Sequence, residues 1–102
     1  MKVNPAAVSI EYPQEAERIA SRELTFRVLA YETERVEIRI DQGRWRPCRF
    51  AGGFWWYDWS GFKTGAHEAM ARIHPRFGIR SVSGVRRFLV DLPSLVPAPG
   101  RC

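Results

Sequence analysis

The side chains of this chain that could do chemistry are two histidines, two cysteines, four tryptophans and a large set of arginines. His67, His74, Cys48 and Asp58 are the one set with metal-ligand character. The spacing His67-x6-His74 matches no zinc pattern, and a closed site needs four ligands held at about 2.0–2.3 Å. No metal is expected. Nucleophilic catalysis needs a serine or cysteine beside a base and an oxyanion hole. Ser60-Gly61 and the run from Ser81 to Gly84 read instead as turn chemistry. Asp41, Asp58 and Asp91 have no spacing that brings two carboxylates together for acid–base work. Ala51-Gly52-Gly53 lacks the following Lys-Ser/Thr and helix of a phosphate cradle. These patterns point away from an enzyme and imply no cofactor.

Binding chemistry remains. Trp45, Trp55, Trp56 and Trp59 cluster with Tyr57 in one stretch. Flat π faces suit stacking on sugars or bases. The plainer reading is that the rings fill a core and staple a loop. Alternation along a strand sends Trp55 and Trp56 to opposite faces. The basic set is Arg44, Arg46 and Arg49, then Arg72, Arg76, Arg80, Arg86 and Arg87. Arg44 and Arg46 are expected on one strand face, and Arg76 and Arg80 in the loop between the last two strands. A guanidinium pairs well with phosphate or carboxylate. The plainer alternative is a solvated face with partners such as Glu37 and Glu68. The candidate binding surface is thus Trp45, Trp55, Trp56, Tyr57, Trp59, Arg44, Arg46, Arg76 and Arg80.

The elements that must position these residues are strands. Apolar residues recur with period two at Val8-Ile10-Tyr12, Leu24-Phe26-Val28-Ala30, Val36-Ile38-Ile40 and Ala69-Ala71-Ile73. That is the signature of strands with one face in a core. Glu37 and Arg39 are then expected in water. Asp41-Gln42-Gly43 reads as a tight turn with Gly43 taking positive φ. Arg44 to Phe50 is the return strand, Phe54 to Trp59 an aromatic strand, and Val85 to Leu92 the closing strand with Phe88 and Val90 inward. Residues 13–24 lack an apolar helical stripe and read as an irregular crossing or a short edge strand. The open edges are expected at Val8–Tyr12 and Val85–Asp91, so any strand-to-strand dimer should use residues 8–12.

The string VEIRIDQGRW, followed by WYDW and then GAHEAMARI, resembles the bacterial immunoglobulin-like domains. It is similar also to the immunoglobulin-like C-terminal domain of the sulfite oxidase family. The resemblance runs over residues 5–92 and rests on fold motifs. Gln42 stands where that pattern has glycine, and His74-Pro75 where it has Asp. The resemblance implies an all-β domain that binds or spaces, and it carries no catalytic residue across.

The 102 residues suit one domain. The expected fold is all-β: an immunoglobulin-like antiparallel β-sandwich of about seven strands. It spans residues 1–92, ahead of a Pro-rich flexible tail at 93–102. Residues 1–43 hold six Lys/Arg against eight Asp/Glu, and residues 44–102 hold ten against three. The expected function is a non-enzymatic interaction or accessory module that binds an unknown protein partner. Two alternatives stay open: a small carbohydrate-binding module using exposed tryptophans, and nonspecific nucleic-acid binding through the Arg-rich half. No secretory leader is legible in VNPAAVSIEYP and no run reaches the length of a membrane span. A monomeric, cytoplasmic chain with no membrane partner is expected, or an exported one if this is a piece of a longer protein. Cys48 is expected half-buried and Cys102 in the tail, with no disulfide between them.

Overall fold

The computed structural model describes residues 7–31, 33–75 and 81–93. The period-two segments become nine strands, with no helix among the described residues. They are β1 (Val8–Tyr12), β2 (Glu17–Ile19), β3 (Glu23–Ala30), β4 (Arg35–Ile40), β5 (Trp45–Pro47), β6 (Arg49–Ala51), β7 (Phe54–Ser60), β8 (Gly65–His74) and β9 (Arg86–Val90). One sheet has the order β1-β3-β7-β6 and the other β2-β9-β8-β4-β5. All pairings are antiparallel except β2 with β9. The fold is an immunoglobulin-like β-sandwich.

Alternate residues of the long strands meet between the sheets. Val8, Ile10, Leu24, Phe26, Val28, Val36, Ile38, Ala69, Ala71, Ile73, Phe88 and Val90 are all buried there. Each large member of this set stabilises the fold by roughly 1.5–3 kcal/mol through burial. The Phe26 ring lies edge-on to Phe88 at 5.7 Å and tilted against Trp59 at 5.8 Å, which ties the two sheets together.

Several local expectations change. The return strand is not continuous. Trp45–Pro47 pairs with β4 in one sheet, and Arg49–Ala51 pairs with β7 in the other. The chain crosses between sheets at Cys48, whose N–H donates to the Val36 carbonyl at 2.9 Å. This split, together with β2, lifts the strand number above seven. Residues 13–24 do supply a short edge strand, β2. It lies parallel to β9 with Ile19 buried, so Val85–Asp91 is not an open edge as expected. Among the described residues the edge strands are β1 and β6 in one sheet, β2 and β5 in the other.

The turn after β4 also differs. Positive φ falls on Asp41 (52°) and Gln42 (60°), not on Gly43. These two left-handed residues carry the chain reversal, and the ladder with β5 begins at the Arg39–Trp45 pair. The Gly43 N–H donates to the Ile40 carbonyl at 2.9 Å. Space at Gly43 is tight: a Cβ there would stand 3.1 Å from that same oxygen.

Candidate interaction surface

All four tryptophans are half-buried, and the structure divides them. Trp55, Tyr57 and Trp59 lie opposite Val28, Phe26 and Leu24, so they share the inner face and pack on the core. Trp59 is stapled on every side. It stacks on Phe62 at 4.1 Å and meets Phe88 and His67 edge-on. Trp56 takes the outer face, as alternation requires. Its Nε1–H donates to the Ala51 carbonyl at 2.8 Å, and its ring stands at 66° to Phe54. Trp45 sits beneath the guanidiniums of Arg72 (4.2 Å) and Arg39 (5.9 Å). A sugar platform needs rings side by side in one plane. The contacting pairs Phe50–Trp55 and Phe54–Trp56 stand at 55° and 66°, and Trp59 and Phe62 cover each other.

The outer face of β4 and β8 is closed by its own charges. Glu37 accepts from Arg72 Nε at 2.9 Å and pairs with His74 Nε2 at 2.6 Å. Glu37 is therefore half-buried, not free in water as its place in the alternation predicts. Its partners come from a strand some 35 residues on. Burial pushes its carboxyl up, but the hydrogen bonds from His74 and Arg72 outweigh burial and hold it below its ordinary value. Arg39, likewise expected exposed, is half-buried against Trp45.

Cys48 is half-buried at the crossover. Burial and the nearby Glu37 charge push its thiol up to about 12, against a smaller opposing effect of Arg49. A thiol so disposed is a poor nucleophile.

The Gly-Ala-His step and the Asp-Gln-Gly turn turn out to be one device. His67 Nδ1 meets Asp41 Oδ2 at 2.5 Å, and Nε2 meets the Lys63 carbonyl at 2.7 Å. Asp41 Oδ1 accepts the Glu68 N–H at 3.0 Å. One imidazole thus clasps the β4–β5 turn to the start of β8 and to the loop before it. This is a structural use of histidine. Among the described residues no group of three or more His, Cys, Asp and Glu stands together to hold a metal.

Most of the arginines are spoken for. Arg49 pairs with Asp58 at 2.6 Å, and Thr25 donates to the same carboxylate. Those two hydrogen bonds, Thr25 first, hold the Asp58 carboxyl below its ordinary value. Arg18 pairs with Asp91, Arg72 with Glu37, and Arg86 donates to the Pro13 carbonyl. Arg27 lies 5.0 Å over the Phe54 ring. Arg76 and Arg80 lie outside the described residues, as do Cys102 and the tail from 94 onward. Arg46 lies within β5 and Arg44 just before it. Both are exposed, and no ion pair forms at either among the described residues.

What the structure does bring together is one side of the sandwich. Both β5 and β6 are edge strands, joined at Cys48. Directly opposed residues of an antiparallel pair share a face. Phe50 lies opposite Trp55, and Arg46 opposite the buried Ile38. Both therefore belong to inner faces, yet both are exposed, Phe50 to 61%. Sequence reasoning passed over Phe50. Its alternation with Trp55 across the Gly52-Gly53 turn marks it as inward, and only its place on an edge strand leaves it bare.

No family model and no curated protein sequence matches the chain. Solved structures do. Fibronectin(III)-like modules of CbhA from Clostridium thermocellum superpose with a TM-score of 0.68 at 21% identity, over 81% of this chain and 93% of theirs. An engineered protein gives 0.68 at 22% identity, over 83% of this chain and 20% of its own. At such identity the likeness shows the fold: an immunoglobulin-like sandwich of the fibronectin(III)-like kind. Nothing at the sequence level links the chain to the sulfite oxidase family, and what the solved structures support of the resemblance is the fold.

Proposed function

We propose that this chain is a non-catalytic accessory module whose task is to hold a protein partner. The observation that carries the reading is Phe50, an inward-patterned aromatic left 61% exposed on an edge strand. Aromatic residues and arginine are enriched in protein interfaces. The outer faces offer less, because their rings and charges are already taken up by Arg72, Glu37, Asp58 and Arg27. The same neutralisation of Arg49, Arg72 and Arg18 weighs against a continuous basic track for nucleic acid. The CbhA neighbours are fibronectin(III)-like modules, which fits an accessory role.

The test has two arms. Intrinsic tryptophan fluorescence is titrated against a panel of soluble polysaccharides. A photocrosslinking amino acid is placed at position 50, and at the exposed position 25 as control, and irradiated in host extract. The reading expects no fluorescence shift and protein adducts from position 50 alone. A saturable shift with a polysaccharide, or equal adducts from both positions, would overturn it.

A further inference from the structure

We propose that the seam between β5 and β6 seats an extended acidic segment of the partner, with an apolar side chain on Phe50 and Trp55 and carboxylates on Arg44 and Arg46. This rests on the protein-binding reading above and names the partner's chemistry.

The charge argument comes first. Arg18, Arg49 and Arg72 meet carboxylates and Arg27 a ring, whereas Arg44 and Arg46 are exposed with no carboxylate against them among the described residues, a state shared away from the seam by Arg35 and Arg87. The half of the chain that holds the seam carries ten Lys/Arg against three Asp/Glu. A guanidinium prefers a planar, paired carboxylate contact. The apolar part is supplied by Phe50, tilted 5.1 Å from the half-buried Trp55.

Backbone chemistry decides how the segment is held. The Cys48 N–H bonds to Val36 and places Pro47 opposite Glu37 at a non-hydrogen-bonded position, whose backbone faces the open edge. Proline has no N–H to offer there, so β5 is a poor template for adding another strand. The segment is therefore gripped by side chains across the seam. A second copy of this chain is a poor occupant. In a two-fold contact the same patch faces itself, and Arg44 and Arg46 would meet Arg44 and Arg46.

The experiment selects binders from a phage-displayed library of random octapeptides, then measures synthetic winners by fluorescence anisotropy. The expected winners carry Asp or Glu flanking an apolar residue. Their affinity should fall about tenfold or more with Phe50→Ser. It should fall with the double charge reversal Arg44→Glu/Arg46→Glu, and lysine-for-aspartate peptides should rescue binding to that variant. Arg87→Glu, exposed on the far strand β9, should change little. Circular dichroism confirms that each variant is folded. Winners without acidic bias, or affinity indifferent to the seam variants, would overturn the seam while leaving a protein-binding module standing. No winner at all would also overturn it, and the polysaccharide and crosslinking arms then judge the broader reading separately.

Discussion

Removing the His67 imidazole should cost about 3–4 kcal/mol of stability, and part of that cost should vanish when Asp41 is already gone. His67→Ala deletes the contact to Asp41 and the bond to the Lys63 carbonyl. Each such bond contributes about 1 kcal/mol net, more where one partner is charged. The ring also packs on Phe88 and edge-on to Trp59, and its side chain is only 13% exposed. The cavity it leaves adds roughly 1–2 kcal/mol. Asp41 is 43% exposed, so solvent screens its charge and that bond sits at the low end of the range. Asp41→Ala loses two acceptor contacts and places alanine at φ 52°, a left-handed position that aspartate tolerates better. Its expected cost is about 1–2 kcal/mol. The assay is urea unfolding of the wild type, both single variants and the double variant. The coupling should be about 1 kcal/mol, and additivity within about 0.3 kcal/mol would refute the clasp. Asp41→Asn, which keeps the shape and the left-handed tolerance, should be the mildest of the set.

Ile38→Ala should cost about 2–5 kcal/mol and the half-buried Ile40→Ala clearly less, as read by thermal or urea unfolding. Glu37 has a folded-state pKa below its unfolded one, so its stabilisation is present above the ordinary carboxylate range and lost as pH falls through the lowered value. Glu37→Gln should therefore lose stability at neutral pH and show a shallower acid limb in a stability-against-pH series. With its thiol pushed up to about 12, Cys48 should be alkylated slowly at pH 8 in a Cys102→Ser background, and much faster once urea unfolds the chain. Rapid labelling of the folded chain would contradict its burial.

The parts of the fold that were legible are those in which a side chain's fate depends on its own strand. Val36 and Ile38, or Ala69, Ala71 and Ile73, are buried because period two sends them inward, and that period is written locally. The Asp-Gln-Gly turn was legible as a turn, though not the link of Asp41 to His67, which lies 26 residues on. What stayed hidden depends on partners far along the chain. Glu37 has the alternation of a solvated residue and is drawn in by Arg72 and His74. The parallel pairing of Glu17 with Phe88 has no local signal at all. The crossover at Cys48 is invisible for the same reason, since the stretch from Arg44 to Phe50 reads as one strand until two sheets compete for it.

The candidate seam follows from that crossover. By splitting one strand between two sheets, the chain makes both halves short edges and leaves Phe50 and Arg46 on inner faces yet exposed. Full burial of a phenylalanine would stabilise the fold by roughly 1.5–3 kcal/mol, and a fold serving only itself forgoes part of that at Phe50. A segment that covers the ring recovers the loss on binding, and Arg44 and Arg46, exposed along the same crossover stretch, state the charge such a segment must carry.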